Sequence, residues 1–507
     1  MQARPLVLGL LLLIPVFAGC VEDPDALGAK EIDAKSRKGL VPASLDDTGR
    51  FFAVYADGTL PEIAVLDTLE PVIGEQRFIG ANTFEPTIGI DAKGYLYMVQ
   101  FGGGARIVKS TDQGVTWSRV NPTFPVDDPR SQQPVNNPPN SNDPFVWVDR
   151  ETGRVFTNDL QALVCSWMNW SDDEGATWTT NPIGCGHPFG VHDHQSITTG
   201  KARNLPSQWE GRNVYYCINR VGDTSCSVSV NGGMTFGPQV TILPGVDVET
   251  ARLCGGLAGH AKTDSEGRVF LGKNQCGVPV VAVSEDDGVN WEVYPVSREI
   301  GIRGHDLEIA TDEANNVYAF WLSDRGLPTL AVSKNNGKSW GPAFSVGAPG
   351  VTIGKFNAIA AGGVGKIAFT YMGNNVEGGA TPEANYTGTM WHAYIGVVAD
   401  ALVENPLVQS TMVDSINDPV AINGCGGRCD GMGDFMDIQI DPFGRPWAAL
   451  VDVCGEKCMS SFNTDPASAL HDGNKGFVGT LSTGPALITE GGALLPLPPL
   501  VVAPAQG

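Results

Sequence analysis

The feature of this 507-residue chain that most constrains its fold is a short motif that occurs five times. Each copy has the pattern Ser-x-Asp/Asn-x-Gly-x-Thr/Asn/Ser and ends in an aromatic residue. The copies begin at Ser110, Ser171, Ser229, Ser284 and Ser333, so that successive copies start 61, 58, 55 and 49 residues apart. A recurring period of this size is typical of arrays of similar supersecondary units. The motif therefore predicts a repeat architecture.

A second pattern runs in phase with the motif and indicates what each unit contains. Each unit begins with an apolar run, makes a tight turn such as Asp91 to Gly94, and continues with a second apolar run. Seven units can be followed, and the last two lack a recognisable motif. Two strands, the motif turn and further strand material give four antiparallel strands per unit, which is one propeller blade. The sequence predicts an all-β propeller of seven blades, with six as the alternative.

The motif has the chemistry of a tight hairpin. Its Asp or Asn side chain can accept backbone N–H groups, its Gly can take a positive φ, and its aromatic residue can pack between blades. We therefore expect a structural role for Asp112, Asp173, Asn231, Asp286 and Asn335. With these residues the motif resembles the Asp box, or BNR repeat, of bacterial sialidases and related β-propellers, over about residues 80–345. Sialidase propellers have six blades, whereas seven-bladed Asp-box propellers occur among other glycosidases and assembly factors.

The N-terminus has the features of an export signal. A basic start at Arg4 is followed by an apolar run from Pro5 to Phe17, which is too short for a permanent membrane helix. Small residues directly before Cys20 resemble the bacterial lipobox, in which the Cys is lipidated; an ordinary secretory signal is the alternative. We expect a signal peptide over 1–19, a lipidated Cys20 and tether over 20–48, a propeller over 49–485 and a Pro/Leu-rich tail over 486–507. The residues Phe51 to about Asp67 are expected to add an outer strand to the last blade and close the ring.

The charge balance excludes some partners. The chain has 33 Lys and Arg against 56 Asp and Glu, a formal net charge of −23. Such a surface repels polyanions, so nucleic acid and anionic membrane surfaces are poor partners. We expect a monomer on the bacterial cell envelope, facing the periplasm or the exterior, that contacts the membrane only through its N-terminal lipid.

Ten cysteines follow Cys20, and an even number in an oxidising compartment favours disulfides. Cys217 and Cys226 lie on two strand-like runs joined by a turn and can form a cross-strand pair. Cys425 can form a local disulfide with Cys429, and Cys454 with Cys458, or the disulfides can join one of these pairs to the other. A zinc site built from these four residues is the alternative.

Loop lengths distinguish the two faces of the predicted ring. The motif turns and the Asp/Gly turns are tight and share one face, whereas connections such as 122–142 and 413–433 on the other face are long. Long loops on a rigid scaffold commonly carry binding sites. The predicted inner strands begin at the long-loop face, and their first residues are therefore expected to surround the mouth of the central channel.

Those first residues are polar. They are Glu85, Asp143, His192, Asp193, His194, His305, Asp306 and Asp434, with His260 and Asn357 expected two positions inside their strands. Hydrogen bonding within the turns is one interpretation. Others are a bound Ca²⁺ or similar ion, a transition-metal site that includes histidines, and catalytic carboxylates, for which Asp143, Asp306 and Glu85 are the candidates.

The sialidase resemblance implies three arginines that hold a substrate carboxylate, a Tyr–Glu nucleophile pair and an Asp acid/base. The R-I-P motif that carries the first arginine in sialidases is absent from this sequence. Arg252, Arg303 and Arg428 each lie in a long loop just before a predicted inner strand, so their guanidinium groups can converge at the channel mouth. Arg binds carboxylates well, which makes these three the candidates. Tyr386 with Glu383 is a candidate couple. The resemblance supports the fold more than the activity.

Three functions stay open from the sequence. The first is an envelope propeller that binds a glycan or protein ligand at the channel mouth, through the polar residues above and the three arginines. The second is a glycoside hydrolase that uses the rim carboxylates, and the third is a structural or assembly lipoprotein.

Overall fold

The computed structural model describes residues 51–100, 106–120, 143–161, 163–183, 192–220, 222–245, 254, 256–304, 306–374, 388–423 and 432–500. Within these ranges the chain forms thirty strands in seven antiparallel sheets. Each sheet contributes one blade, and the predicted all-β propeller of seven blades is confirmed. The predicted residues Cys20, Arg252, His305, Glu383, Tyr386, Cys425, Arg428 and Cys429 lie outside the described ranges.

The first three blades follow a short N-terminal region. That region contains β1 (Phe51–Tyr55), α1 (Ile63–Leu66) and β2 (Ile73–Asn82). Blade 1 contains β3 (Ile88–Ile90), β4 (Leu96–Gln100), β5 (Arg106–Ser110) and β6 (Ser118–Arg119). Blade 2 contains β7 (Phe145–Val148), β8 (Val155–Gln161), β9 (Cys165–Ser171) and β10 (Thr179–Ile183). Blade 3 contains β11 (His192–Lys201), β12 (Arg212–Arg220), β13 (Asp223–Ser229) and β14 (Val240–Pro244).

The remaining blades repeat the same order of strands. Blade 4 contains β15 (Lys262–Thr263), β16 (Val269–Gln275), β17 (Val278–Ser284) and β18 (Glu292–Pro295). Blade 5 contains β19 (Glu308–Thr311), β20 (Val317–Leu322), β21 (Pro328–Ser333) and β22 (Phe344–Ser345). Blade 6 contains β23 (Ile353–Ala361), β24 (Ile367–Asn374), β25 (Met390–Val398) and β26 (Leu407–Met412), with β27 (Ala421–Ile422) paired to β25. Blade 7 contains β28 (Asp437–Ile440), β29 (Pro446–Asp452) and β30 (Lys475–Thr483), with α2 (Glu456–Thr464) and a 3₁₀ turn (Pro466–Ser468) before β30.

The ring closes through a strand that the sequence analysis did not identify. We expected Phe51 to about Asp67 to complete the last blade, but this was wrong. The strand in that range, β1, pairs with β26 and adds a fifth strand to blade 6. The later strand β2 pairs with β30 and is the outer strand of blade 7. β1 is the outermost strand of that sheet, and its Phe51–Val54 run is buried.

The hydrophobic core lies between neighbouring blades. One cluster, for example, joins Phe270 and Val281 of blade 4 to Leu307, Ile309 and Trp321 in and beside blade 5. Neighbouring inner strands contact one another around the ring, from β3 through β28 and back to β3. The inner strands are thereby held in a closed circle, and their first residues come together near the axis.

Three disulfides join described cysteines. Cys217–Cys226 is the predicted cross-strand pair, and Cys454–Cys458 is one of the two predicted local pairs. Cys254–Cys276, which the sequence did not suggest, ties the start of blade 4 to its β16–β17 turn. No helix in the described ranges is long and apolar enough to cross a membrane.

The segment 484–500 packs against the end of the ring where the tight turns lie. The Leu487 N–H donates to the Gly444 carbonyl at 2.9 Å, and the Leu487 carbonyl accepts from Gly363 N–H at 3.0 Å. Two buried guanidinium groups also donate to this segment, Arg77 to the Pro498 carbonyl at 2.7 Å and Arg445 to the Leu495 carbonyl. The segment therefore ties blades 6 and 7 to each other.

Candidate functional site

The first residues of the inner strands meet in one group of titratable side chains. We name this group the axial cluster; it consists of Glu85, Asp143, Asp193, His194, His260, Asp306, Glu308 and Asp434. Six of the seven blades contribute, and blade 6 adds Asn357, whose Nδ2 donates to the Asp306 carbonyl at 3.1 Å. All members except the half-buried Asp193 are buried. The closed ring explains the grouping, because each blade directs the start of its inner strand to the same end.

Glu85 occupies an unusual backbone position between β2 and β3. Its φ is 48°, and its N–H donates to the Met432 carbonyl at 3.0 Å. Its carboxyl Oε1 accepts from the Asp434 N–H at 2.9 Å. Gly433, with φ +88°, makes this approach possible, because a Cβ there would lie 2.1 Å from the Glu85 Cγ. The link between blades 7 and 1 thus holds Glu85 at the axis.

Glu85 and Asp143 form a pair of carboxyl groups. Burial raises the pKa of Glu85 well above its usual value; the charge of Asp143, a hydrogen bond to Asp143 and the charges of Asp434 and Asp193 add to the shift. Asp143 is itself held by the His194 N–H, which donates to its Oδ2 at 2.9 Å. Burial and the neighbouring charges thus favour the protonated form of Glu85, which can donate a hydrogen bond to Asp143.

Two imidazoles and an aromatic ring form the middle of the cluster. The rings of His194 and His260 are stacked, with centroids 5.1 Å apart and an interplanar angle of 15°. Phe435 meets both edge-on, at 4.5 Å from His194 and 5.0 Å from His260. Burial lowers the pKa of His260 well below its usual value, assisted by the charges of His194 and Lys262. His260 is therefore a neutral imidazole.

Blade 5 contributes a second pair of carboxyl groups. Asp306 Oδ2 lies 3.7 Å from His194 Nε2, and Glu308 Oε1 lies 3.5 Å from His260 Nδ1. Burial raises the pKa of Asp306 well above its usual value, with the charges of Glu308, Asp434 and Asp193 contributing. Burial likewise raises the pKa of Glu308 to about 8, although Lys262 and the His260 N–H oppose the shift. Each imidazole thus faces a carboxyl group that resists ionisation.

The structure brings together most of the predicted residues. Glu85, Asp143, Asp193, His194, His260, Asp306 and Asp434 all belong to the axial cluster. His260 precedes β15 by two residues, rather than lying inside that strand as expected. His192 is buried, and its N–H donates to the Leu163 carbonyl at 2.7 Å. Arg303 lies near Lys355. Burial and the charge of Arg303 together lower the pKa of Lys355 to about 8.

Sequence reasoning missed three contributors to this site. Glu308 follows Asp306 by two positions, which puts both on the same side of a strand, and this spacing was an available signal. Phe435 gave no signal, because an apolar residue at the start of a strand is normally predicted to lie in the hydrophobic core. Lys262 gave none either, because its proximity to Glu308 depends on the packing of blade 4 against blade 5.

Several buried polar atoms of the cluster have no hydrogen-bond partner among the described residues, and Oδ1 of Asp306 and Nε2 of His260 are two of them. An unpaired buried polar atom costs about 1–3 kcal/mol, so such atoms usually bond to water or a ligand. The described side chains include no group of three or more His, Cys, Asp or Glu arranged to hold a metal ion. The predicted Ca²⁺ therefore stays a prediction.

Comparison with known proteins adds structural neighbours. A scan against protein-family models found no match, and a search of curated proteins found none either. A protein of unknown function from Dyadobacter fermentans is 11% identical, over 80% of this chain and 97% of its own, with a TM-score of 0.39. The leech intramolecular trans-sialidase, solved with 2,7-anhydro-Neu5Ac, is 13% identical over 80% of this chain and 70% of its own, with a TM-score of 0.36.

A third solved structure is a lectin. The Aleuria aurantia lectin, solved with α-methyl-L-fucoside, is 13% identical over 67% of this chain and 97% of its own, with a TM-score of 0.37. Likeness at this level carries no argument about activity.

Proposed function

We propose that this protein binds a neutral carbohydrate at the axial cluster. The observation that carries the proposal is that two buried polar atoms, Asp306 Oδ1 and His260 Nε2, have no hydrogen-bond partner among the described residues. A sugar hydroxyl can both donate and accept a hydrogen bond. One hydroxyl can therefore bond to the carboxyl oxygen, and a neighbouring hydroxyl can bond to the imidazole nitrogen. The edges of Phe435 and Phe145 supply apolar contact beside these groups.

The charge of the cluster favours a neutral sugar over an acidic one. Six of its eight members carry carboxyl groups, and burial together with the charges of neighbouring carboxyls raises the pKa of Glu85 and of Asp306. A ligand carboxylate brought to this position would meet like charges in a poorly solvated site, which costs several kcal/mol. Sialic acid would therefore need cations from elsewhere in the chain.

A glycan array with the purified full-length protein tests this proposal. We expect binding to neutral glycans and none to sialylated ones, with neutral binding weakened at least tenfold by Asp306→Asn. Asp306→Asn keeps the shape of the side chain and replaces one oxygen with an NH₂ group, so folding is not at risk. Sialoside-selective binding, or neutral binding that is unchanged in Asp306→Asn, would contradict the proposal.

Glycoside hydrolysis is the second candidate, and the raised pKa of Glu85 favours it. A protonated carboxylic acid can donate its proton to a leaving-group oxygen, and Asp143 beside it can accept a proton from the attacking water. Retaining glycosidases keep their two carboxyls about 5–5.5 Å apart, whereas Glu85 and Asp143 are hydrogen-bonded. A panel of fluorogenic glycosides decides the question: turnover that is lost in Glu85→Gln and in Asp143→Asn makes the protein an enzyme.

We also propose that the protein is an exported lipoprotein, and that its five repeated turns are Asp boxes. The support is the run Pro5–Phe17 with Cys20 directly after small residues, and the five motif copies. Incorporation of an alkyne-labelled fatty acid during growth is expected for the native chain and is expected to be lost in Cys20→Ser. Labelling that persists in Cys20→Ser would contradict the anchor.

A further inference from the structure

One of the five repeat turns, the motif segments defined above, differs from the other four in its aromatic residue. In four turns the indole Nε1 donates to the carbonyl of the motif glycine, at 3.0–3.2 Å. The turn of blade 3 has Phe236, which has no N–H to donate. There the side chain of Asn181, from the outer strand of blade 2, donates to the Gly233 carbonyl at 3.1 Å and to the Met234 carbonyl at 2.9 Å.

A cavity lies beside this exceptional turn. Its volume is about 330 Å³, and Asn181, Ser227, Met234, Phe236 and Gln239 are among its lining residues. One edge of Phe236 packs against the buried ring of Tyr216, with centroids 6.2 Å apart. Phe236 is half-buried, and Met234 is 60% exposed, so the cavity opens to the surface. A phenyl ring where the other turns carry an indole leaves room at this position.

The polar lining of the cavity has unused hydrogen-bonding capacity within the described residues. Asn181 uses both N–H groups on the turn carbonyls, which leaves its Oδ1 as an acceptor. Gln239 accepts from Arg220 at its Oε1, at 2.9 Å, which leaves its Nε2 as a donor. The Ser227 hydroxyl can do both. An acceptor, a donor and a hydroxyl around an aromatic ring are the groups that recognise an uncharged polyhydroxylated molecule.

We propose that this cavity binds a single pyranose ring of a neutral sugar. Phe236 contacts the C–H face of the sugar, and Asn181, Ser227 and Gln239 bond to its hydroxyls. The volume lies at the lower end of the range of small-molecule pockets, about 300–1,000 Å³, which suits one ring rather than a chain. The cavity is formed by β10 of blade 2, β13 of blade 3 and the turn between β13 and β14, so it is separate from the axial cluster at the start of the inner strands.

The substitution Phe236→Trp is the sharpest test, because it restores the residue found in the other four turns. The larger ring fills the cavity, and its N–H can bond to the Gly233 carbonyl. The probes are methyl glycosides of glucose, galactose, mannose and fucose, with saturation-transfer NMR of the full-length protein to detect contact and calorimetry to measure Kd. We expect at least one probe to bind, and Phe236→Trp to weaken that binding at least tenfold.

Two further variants keep the test decisive. Gln239→Ala, at a half-buried position, is expected to weaken binding about threefold to tenfold, and it serves if Phe236→Trp does not fold. The titrations use the Asp306→Asn variant as the common background, which weakens binding at the axial cluster, so that the binding measured here belongs to the cavity. The proposal is overturned if no probe binds, or if binding survives both Phe236→Trp and Gln239→Ala.

Discussion

Carboxylates at the two ends of the ring behave in opposite ways. At the tight-turn end, Asp173 accepts from the Thr177 hydroxyl at 2.6 Å, the Thr177 N–H at 2.8 Å and the Ser171 hydroxyl at 2.8 Å. The hydrogen bonds from Thr177 lower the pKa of Asp173. At the axial cluster, burial and neighbouring carboxyls raise the pKa of Asp306 well above its usual value.

The contrast separates structural from functional acids. Among the described residues, the hydrogen bonds of the Asp173 side chain all go to residues within four positions of it, so its turn explains why an acid is needed there. Asp306 gains no comparable stabilisation, and its Oδ1 has no partner among the described residues. Buried acids that cost stability and cluster with perturbed pKa values are typical of functional sites. The two ends therefore predict different consequences for matched substitutions.

The largest effect on stability is expected at the tight-turn end, from removal of residues 484–507. Arg77 and Arg445 are buried and would lose the carbonyls of Pro498 and Leu495. Two hydrogen bonds from charged donors at about 1.5–3 kcal/mol each predict a loss of about 3–6 kcal/mol in the free energy of unfolding. Urea denaturation measures this loss. A truncated chain as stable as the native one would show that the segment 484–500 does not hold the ring.

A smaller effect on stability is expected from Asp173→Ala. The variant loses the hydrogen bonds to Thr177 and Ser171, and we expect a loss of about 1–2 kcal/mol in the free energy of unfolding with unchanged glycan binding. Asp306→Asn is the matched change at the other end, and we expect it to lose binding while its stability stays equal or rises. Thermal melts and calorimetry on the two variants make the comparison. Reversed outcomes would invalidate the distinction between the two ends.

The last expected effect is a pH dependence of stability at the axial cluster. The folded protein keeps the Glu308 proton up to about pH 8, whereas the ordinary value is 4.5. Between these values the folded state binds more protons than the unfolded state, so this group lowers the free energy of unfolding as pH rises. Glu308→Gln removes that contribution and keeps an acceptor for the His260 N–H. The Tm of the variant minus that of the native protein should rise from pH 5 to 8; a flat difference would contradict the raised pKa.

The two ends also differ in how far the sequence predicts them. The repeat turns are local: the spacing from Ser110 to Trp117 contains nearly all the groups that bond to one another, so five copies of it could be recognised. The closing strand was misassigned because strand pairing across hundreds of residues, such as Phe51 with Thr411, leaves no local pattern. The axial residues were found as polar strand starts, but their pairing depends on the curvature of the ring. That Glu85 meets Asp143 and His194 stacks on His260 could not be deduced from spacing.

The central claim is that the axial cluster is a ligand site and the repeat turns are structural. The most direct test is calorimetric titration of a neutral glycan, selected on the array, into the native protein, Asp306→Asn and Asp173→Ala. The account predicts that Asp306→Asn loses at least tenfold in affinity while Asp173→Ala keeps the native Kd. Equal affinities for Asp306→Asn and the native protein, with both variants folded, would contradict it.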